Sequence, residues 1–531
     1  MFNGFGRCAA VASLLVAMTG CATVERGIPE KLNPGSGVVI MKVVSLQRLG
    51  YINGKWSQVW VSDKATSQPA SLEDTADFDA QYAAFAQPLP AGTYTVRSID
   101  APGIAVGAFG LLPALAIQAM TSGSQDSSQS LSSFTVEAGK VTNLGVVVAA
   151  PPEGKEKTIQ LAVLADERAR SAARDDIDTA SRARAKDLPE RTWDVPPAAS
   201  QYDRAFELVR TRSTLVSPLE VTRDGRLLVG TGMGLVHVRD AGGAWTTMST
   251  GSLDSLGLVR ELSDGRIFAA TQRGAYHLWD PKTRSWTYRR IAEEGRIVEL
   301  EAVGASGYAL QLHHSGILFG QQRVTRVLMV QDLAANTPPR EALRLTETPA
   351  MKVSPMVYDG RDLVLVFNEM GFSRTAKVHR IDPVSLQIRL ESQPQWIERF
   401  QHVPGGAIAR TRVNGMSRFS ETSSDKGASW QLSENTSGFG ATFSDIHTGY
   451  GLAIIQAGMN TVTTSLSTTS DGGKTWAPVG KTFDTGGKGV PTQLVIGADG
   501  RPFVYTGTTL LSSGDQGKTW SVEWPRPAAT R

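Results

Sequence analysis

An eight-residue pattern recurs three times near the end of this 531-residue chain and constrains its fold more than any other feature. It reads Ser423-Ser-Asp425-Lys-Gly427-Ala-Ser429-Trp430, then Thr469-Ser-Asp471-Gly-Gly473-Lys-Thr475-Trp476, then Ser513-Gly-Asp515-Gln-Gly517-Lys-Thr519-Trp520. Successive aspartates are 46 and 44 residues apart. A period of that length marks one supersecondary unit repeated along the chain, a propeller blade or a solenoid turn. The residue types suit a tight β-turn. The aspartate accepts hydrogen bonds from turn amides, the hydroxyl residue helps, and glycine supplies a positive φ that side chains resist. Tryptophan then enters the next strand and packs its ring on neighbouring sheet. Asp425, Asp471 and Asp515 therefore read as turn holders, and Trp430, Trp476 and Trp520 as core. The rival reading makes these aspartates metal ligands or acids.

The pattern resembles the Asp box, or BNR repeat, of sialidase-like and sortilin-like β-propellers and of photosystem II assembly-factor-like proteins. The stretch Phe443-Ser-Asp445 with Thr448-Gly-Tyr450-Gly451 is similar to the opening of assembly-factor-like blades, although its final glycine comes early. The resemblance implies a β-propeller with these turns on its rim, away from any active site. Weaker repeats precede them. Asp224-Gly-Arg leads to Trp245, Asp264-Gly-Arg leads to Trp286, and Asp499-Gly-Arg leads to the last box. Cutting at this period gives blades near 213–250, 251–291, 292–345, 346–396, 397–435, 436–481 and 482–524, a number usual for propellers. The third and fourth lack the motif. Residues 332–351, with Pro338 and Pro339, are expected to loop over one face.

The N-terminus reads as an address. A short start with Arg7, an apolar run from Cys8 to Met18 and small residues before Cys21 make a secretory signal rather than a spanning helix. Met18-Thr19-Gly20-Cys21 resembles the bacterial lipobox, with Met18 in place of the usual leucine. The resemblance implies cleavage before Cys21 and lipid on that residue, which anchors the chain in a membrane. Ala22, where aspartate would signal retention, implies the outer membrane. The competing reading is an ordinary cleaved signal with an accidental cysteine. Cys8 and Cys21 are the only cysteines, so the body holds neither a disulfide nor a thiolate site.

Residues 22–36 read as a tether. Residues 37–164 read as a small β domain, with strands at 37–45, 55–61, 93–96, 134–136 and 141–148 separated by turn signals such as Asn53-Gly54. Its second half resembles the Ig-like or prealbumin-like sandwich modules of bacterial lipoproteins. One insertion, 101–120, carries no charge and approaches a membrane span in length, but Pro102, Gly103, Gly107, Gly110 and Pro113 break it. It is a packed loop, a surface for bilayer or partner, or a span. Residues 165–212 are rich in alanine and interleaved charge. They are expected to form a solvated helical linker, with Arg182, Arg184 and Lys186 as a basic cluster.

The expected whole is mainly β: tether, sandwich, helical linker and a roughly seven-bladed propeller over 213–531. Chemistry is sparse. The seven histidines have no metal-ligand spacing, and His313 and His314, adjacent in a strand, would point to opposite faces. Sialidases need three arginines around one carboxylate. Arg223, Arg226, Arg260, Arg273, Arg410 and Arg412 are present without a motif that groups them. No cofactor is expected, and a net charge of +3 gives no reason for nucleic acid. The functional expectation is a lipid-anchored envelope module whose propeller recruits a protein or glycan. A divergent sialidase-like hydrolase and a ligand-free spacer are the alternatives, because a propeller fold does not by itself specify function.

Overall fold

The computed structural model describes residues 27–46, 58–75, 82–100, 133–150, 160–191 and, apart from short segments, 199–524. Cys21, the signal region and the insertion 101–120 lie outside the described residues.

The N-terminal strands are β1 (Ser36–Ser45), β2 (Gln58–Asp63), β3 (Pro69–Glu73), β4 (Tyr82–Pro90), β5 (Gly92–Asp100), β6 (Phe134–Val136), β7 (Val141–Ala150) and β8 (Gln160–Leu164). They form two sheets, β4-β1-β7-β8 and β3-β2-β5-β6. Strand β1 lies antiparallel to β4 and parallel to β7. Its side chains alternate between two apolar environments, as the period of two requires. Val39, Met41 and Val43 enter the core between the sheets with Val59, Phe85 and Tyr94. Val38, Ile40 and Val44 face outward, yet they are buried too, beneath helices and part of the C-terminal half. Gly145 in β7 has φ +73°, and a Cβ there would sit 2.2 Å from the Leu164 carbonyl oxygen, so only glycine fits.

Three helices follow: α1 (Glu167–Asp176), α2 (Thr179–Ala185) and α3 (Ala199–Arg212), with a short strand β9 (Glu190–Arg191) that pairs with β7. Asp166 caps α1 by accepting from the Ala169 amide at 2.9 Å, and Asp178 caps α2 through the Ser181 amide at 2.8 Å. The expectation of a solvated linker is corrected here. Ala169 and Ala173, four residues apart, together with Asp176, Ile177 and Ala185, are buried against the outer face of β1 and β7. Small side chains let the backbone approach the sheet, so a stripe with little apolar bulk still makes a packing face. The tether expectation is corrected in part as well. Ile28 is 2 % exposed, its amide donates to Ser181 Oγ at 2.8 Å, and the Arg184 guanidinium donates to its carbonyl.

From residue 220 onward, the described residues form seven antiparallel sheets that follow one another in the sequence, spanning 220–249, 258–290, 296–347, 352–393, 396–433, 441–484 and 493–524. Each runs strand to adjacent strand, and the fourth divides its first strand into Lys352–Val353 and Val357–Tyr358. The stretch expected as a loop at 332–351 contains strand Arg340–Glu347, the fourth of the third sheet, antiparallel to Gln321–Asp332. Ala342, Leu343 and Leu345 pack there on the fourth sheet's apolar cluster. Every pair of consecutive sheets shares such a cluster. The seventh shares one with the first, through Leu219, Leu227, Val229, Phe503, Tyr505 and Trp524, so the sheets close into a ring.

That seam is also hydrogen-bonded. Trp524, fully buried, donates its indole N–H to the Ser213 carbonyl at 2.8 Å and lies 5.6 Å from Trp245, ring to ring. The Gln493 side chain exchanges two bonds with the Leu219 backbone, and Arg239 pairs with Glu523 at 3.1 Å.

Candidate functional site at the central channel

The three repeated turns each join the third and fourth strands of their sheet, the fifth, sixth and seventh. Their geometry is the same three times. Asp425 accepts from the Ser429 amide at 2.8 Å and the Ser429 hydroxyl at 2.5 Å, while Ser423 Oγ donates to Asp425 and accepts from the Gly427 amide. Asp471 is held by Thr469 and Thr475, and Asp515 by Ser513 and Thr519, at 2.7–3.0 Å. Gly427, Gly473 and Gly517 have φ of +83°, +89° and +98°. The three tryptophans are half-buried. Trp430 lies under the Arg410 guanidinium, 3.9 Å from ring centre to carbon, and Trp476 donates to the Gly473 carbonyl.

These hydrogen bonds hold the Asp425 and Asp515 carboxyls down to about 2, chiefly through Ser429 and Thr519, and that of Asp471 lower still through Thr475. The sign follows from linkage. A folded-state pKa below the unfolded value stabilises the fold above about pH 4, and that contribution is lost as pH falls toward 2. An Asp425→Asn, Asp471→Asn, Asp515→Asn triple variant is therefore expected to unfold in urea with a midpoint that changes less between pH 4 and pH 2 than the parent's. Equal pH slopes would contradict this origin.

The first strands of the sheets line a central channel of about 1480 Å³. It is polar where the turns between first and second strands meet. Glu220, Glu261, Glu299 and Glu301 face it, with Arg223, Arg260, Gln401, His402, Thr411 and Gln493. Several are already matched. Arg260 pairs with Glu220, and Arg223 donates to the Ser263 carbonyl at 2.7 Å. His402 on the fifth sheet meets Glu301 on the third at 2.7 Å, skipping the fourth, whose first strand is divided and short. The hydrogen bond with Glu301 raises the His402 pKa. Burial pushes the Glu299 carboxyl up to about 7, although the Met356 amide donates to it at 2.6 Å.

The candidate arginines do not converge. Arg223 and Arg260 line the channel, while Arg226 pairs with Asp224 and Arg273 joins a different cluster. Arg410 and Arg412 both bind Glu421, at 2.6 and 2.7 Å. The histidines are equally dispersed. His237 is buried between Thr231 and Thr247, and His313 contacts Arg326. Among the described residues, no group of three or more His, Cys, Asp or Glu side chains could hold a metal ion.

Strand connectivity separates the ring's two faces. Turns between first and second strands, and between third and fourth, share one face, which carries the polar end of the channel and the three repeated turns. The sandwich covers the opposite face over the first and second sheets. Met233, Leu235 and Leu253 join its outer core there. At that junction lies a charged cluster that sequence reading missed. Lys42 of β1, fully buried, sits 2.5 Å from Asp176 of α1 and 2.7 Å from Asp254 of the ring. Arg273 of the second sheet reaches Asp176 at 3.0 Å, and the Tyr82 hydroxyl donates to the same carboxylate at 3.1 Å. Burial raises the Tyr82 pKa well above its ordinary value. The signal was a single charge, Lys42, inside an otherwise apolar strand.

No family model matches the chain, and no curated protein does. Several solved structures share a distant likeness. One, from a structural and mechanistic study of two prolyl endopeptidases, is 13 % identical over 61 % of this chain and 52 % of that one, with TM-score 0.41. BamB from Moraxella catarrhalis is 10 % identical over 56 % of this chain and 82 % of its own, with TM-score 0.31. An oligogalacturonate lyase from Vibrio parahaemolyticus is 10 % identical over 59 % and 89 %, with TM-score 0.35. Likeness at this level assigns no family and no activity.

Proposed function

We propose that the protein is a lipid-anchored envelope binding module, a seven-bladed Asp-box β-propeller carried on an Ig-like or prealbumin-like sandwich. It recruits a protein or glycan partner at the face the sandwich leaves open. The observation that carries this reading is the one-sided channel. Its polar end lies opposite the sandwich, and several of its carboxylates and cations are engaged with one another between different sheets. Such walls present fixed donors and acceptors to a partner. Lipid on Cys21 would keep the module at a membrane.

Two experiments test it. Cys21→Ser is expected to move the exported protein from the membrane to the soluble fraction of the envelope, and continued sedimentation with membranes would count against the anchor. Full-length protein purified from detergent-solubilised membranes is expected to bring a stoichiometric partner, or to retain a glycan on an array. Specific turnover of a fluorogenic glycoside by the purified protein would overturn the binding-module reading in favour of a hydrolase.

A further inference from the structure

We propose that the channel takes its ligand by a protonated amine or guanidinium group seated against Glu299, a step that rests on the channel being the binding site. Glu299 stands on the first strand of the third sheet, in the channel wall. One oxygen accepts the Met356 amide from the fourth sheet, and Glu299 has no ion pair among the described residues. The cations around it are engaged elsewhere. Arg260 pairs with Glu220, and Arg326 contacts His313. A half-buried carboxyl without a cation has its pKa pushed up, and an arriving cation favours its charged form.

Two further groups in the same wall are unmatched. Gln401 donates its amide N–H to the Phe443 carbonyl, but its Oε1 is shielded and has no partner. Thr411 is 4 % exposed and lines the channel, and its side-chain hydroxyl makes no hydrogen bond among the described residues. The channel wall thus holds a carboxyl without a countercharge on the third sheet, and unmatched polar groups on the fifth. Ammonium and guanidinium groups carry several N–H donors and no acceptor, so they suit a carboxyl that lacks a countercharge. An anionic group would face Glu220, Glu261, Glu299 and Glu301, against Arg223 and Arg260 already engaged.

Agmatine, which has guanidinium and ammonium ends, is a direct probe. Titrated calorimetrically into the purified full-length protein at pH 8, it is expected to bind saturably. At pH 5.5 binding should weaken by at least about tenfold, because Glu299 takes up a proton. The His402 imidazole, whose pKa Glu301 raises, also gains charge there, and Glu220, whose carboxyl burial pushes up, faces the same channel together with Glu261, Glu301, Arg223 and Arg260. Glu299→Gln, with unchanged thermal unfolding, is expected to abolish binding at pH 8, and Thr411→Val to weaken it. Absence of saturable binding by the parent, or wild-type affinity in both variants, would overturn the proposal. The two readings fail separately: if membrane purification brings a partner but agmatine does not bind, the cation seat is wrong and the module stands.

Discussion

Asp176→Ala is expected to remove about 3–5 kcal/mol of stability, read as a shift of the urea midpoint, because it leaves two buried cations without their shared carboxylate. Lys42 is fully buried, and Arg273 is 8 % exposed. Once Asp176 is gone, Lys42 keeps only Asp254, which is itself partly open to solvent. The three charged elements come from the sandwich, helix α1 and the ring, so the loss should appear as uncoupling. Limited proteolysis between α3 and the first sheet is expected to release the ring from the sandwich at urea concentrations where the parent stays intact. A Lys42→Met, Asp176→Leu, Arg273→Met variant is expected to recover most of the stability, because apolar residues of similar volume carry no desolvation cost. If Asp176→Ala shifted the midpoint no more than a surface substitution does, the cluster would not be what couples the parts.

Trp524→Ala is expected to cost a similar amount, about 3–5 kcal/mol, by removing the largest fully buried side chain from the seam. Three interactions go with it: the bond to the Ser213 carbonyl, the contact with Trp245, and a ring 4.6 Å from His237. First and last sheets each take all their strands from their own stretch of chain, so side chains hold the closure. Hydrogen exchange in the variant should accelerate first at Glu220–Val221 and Gln493–Ile496, the first strands on either side of the seam, and later elsewhere. Uniform acceleration around the ring would mean that the seam is no weaker than any other junction.

How much of this was legible in the residues differs by element. The run 37–45 announced a strand through its β-branched residues, and the structure places β1 at Ser36–Ser45. Period and turn chemistry marked the sheets with Asp-Gly turns or closing tryptophans. The third carried neither, the fourth only Asp359-Gly360 and no Asp box, and Pro338-Pro339 disguised a strand that follows immediately at Arg340–Glu347. Helices α1 and α2 were visible, but their burial was not, since alanine reads alike on a solvated face and on a tightly packed one. The channel was least legible. Glu220, Glu299 and His402 stand on first strands of three different sheets and line one channel only because the ring closes. The charged junction was equally hidden, for Lys42, Asp176, Asp254 and Arg273 come from four separated stretches.

The docking of Ile28 alters what an anchor at Cys21 would accomplish. Between Cys21 and Gly27 lie five residues, which span no more than about 20 Å even when fully extended. A leash of that length allows little wandering. With lipid on Cys21, the body would be held within about that distance of the bilayer, at a point beside Ile28. A partner embedded in the same membrane would then have to reach the channel mouth within that short range, whereas one in solution would face no such limit.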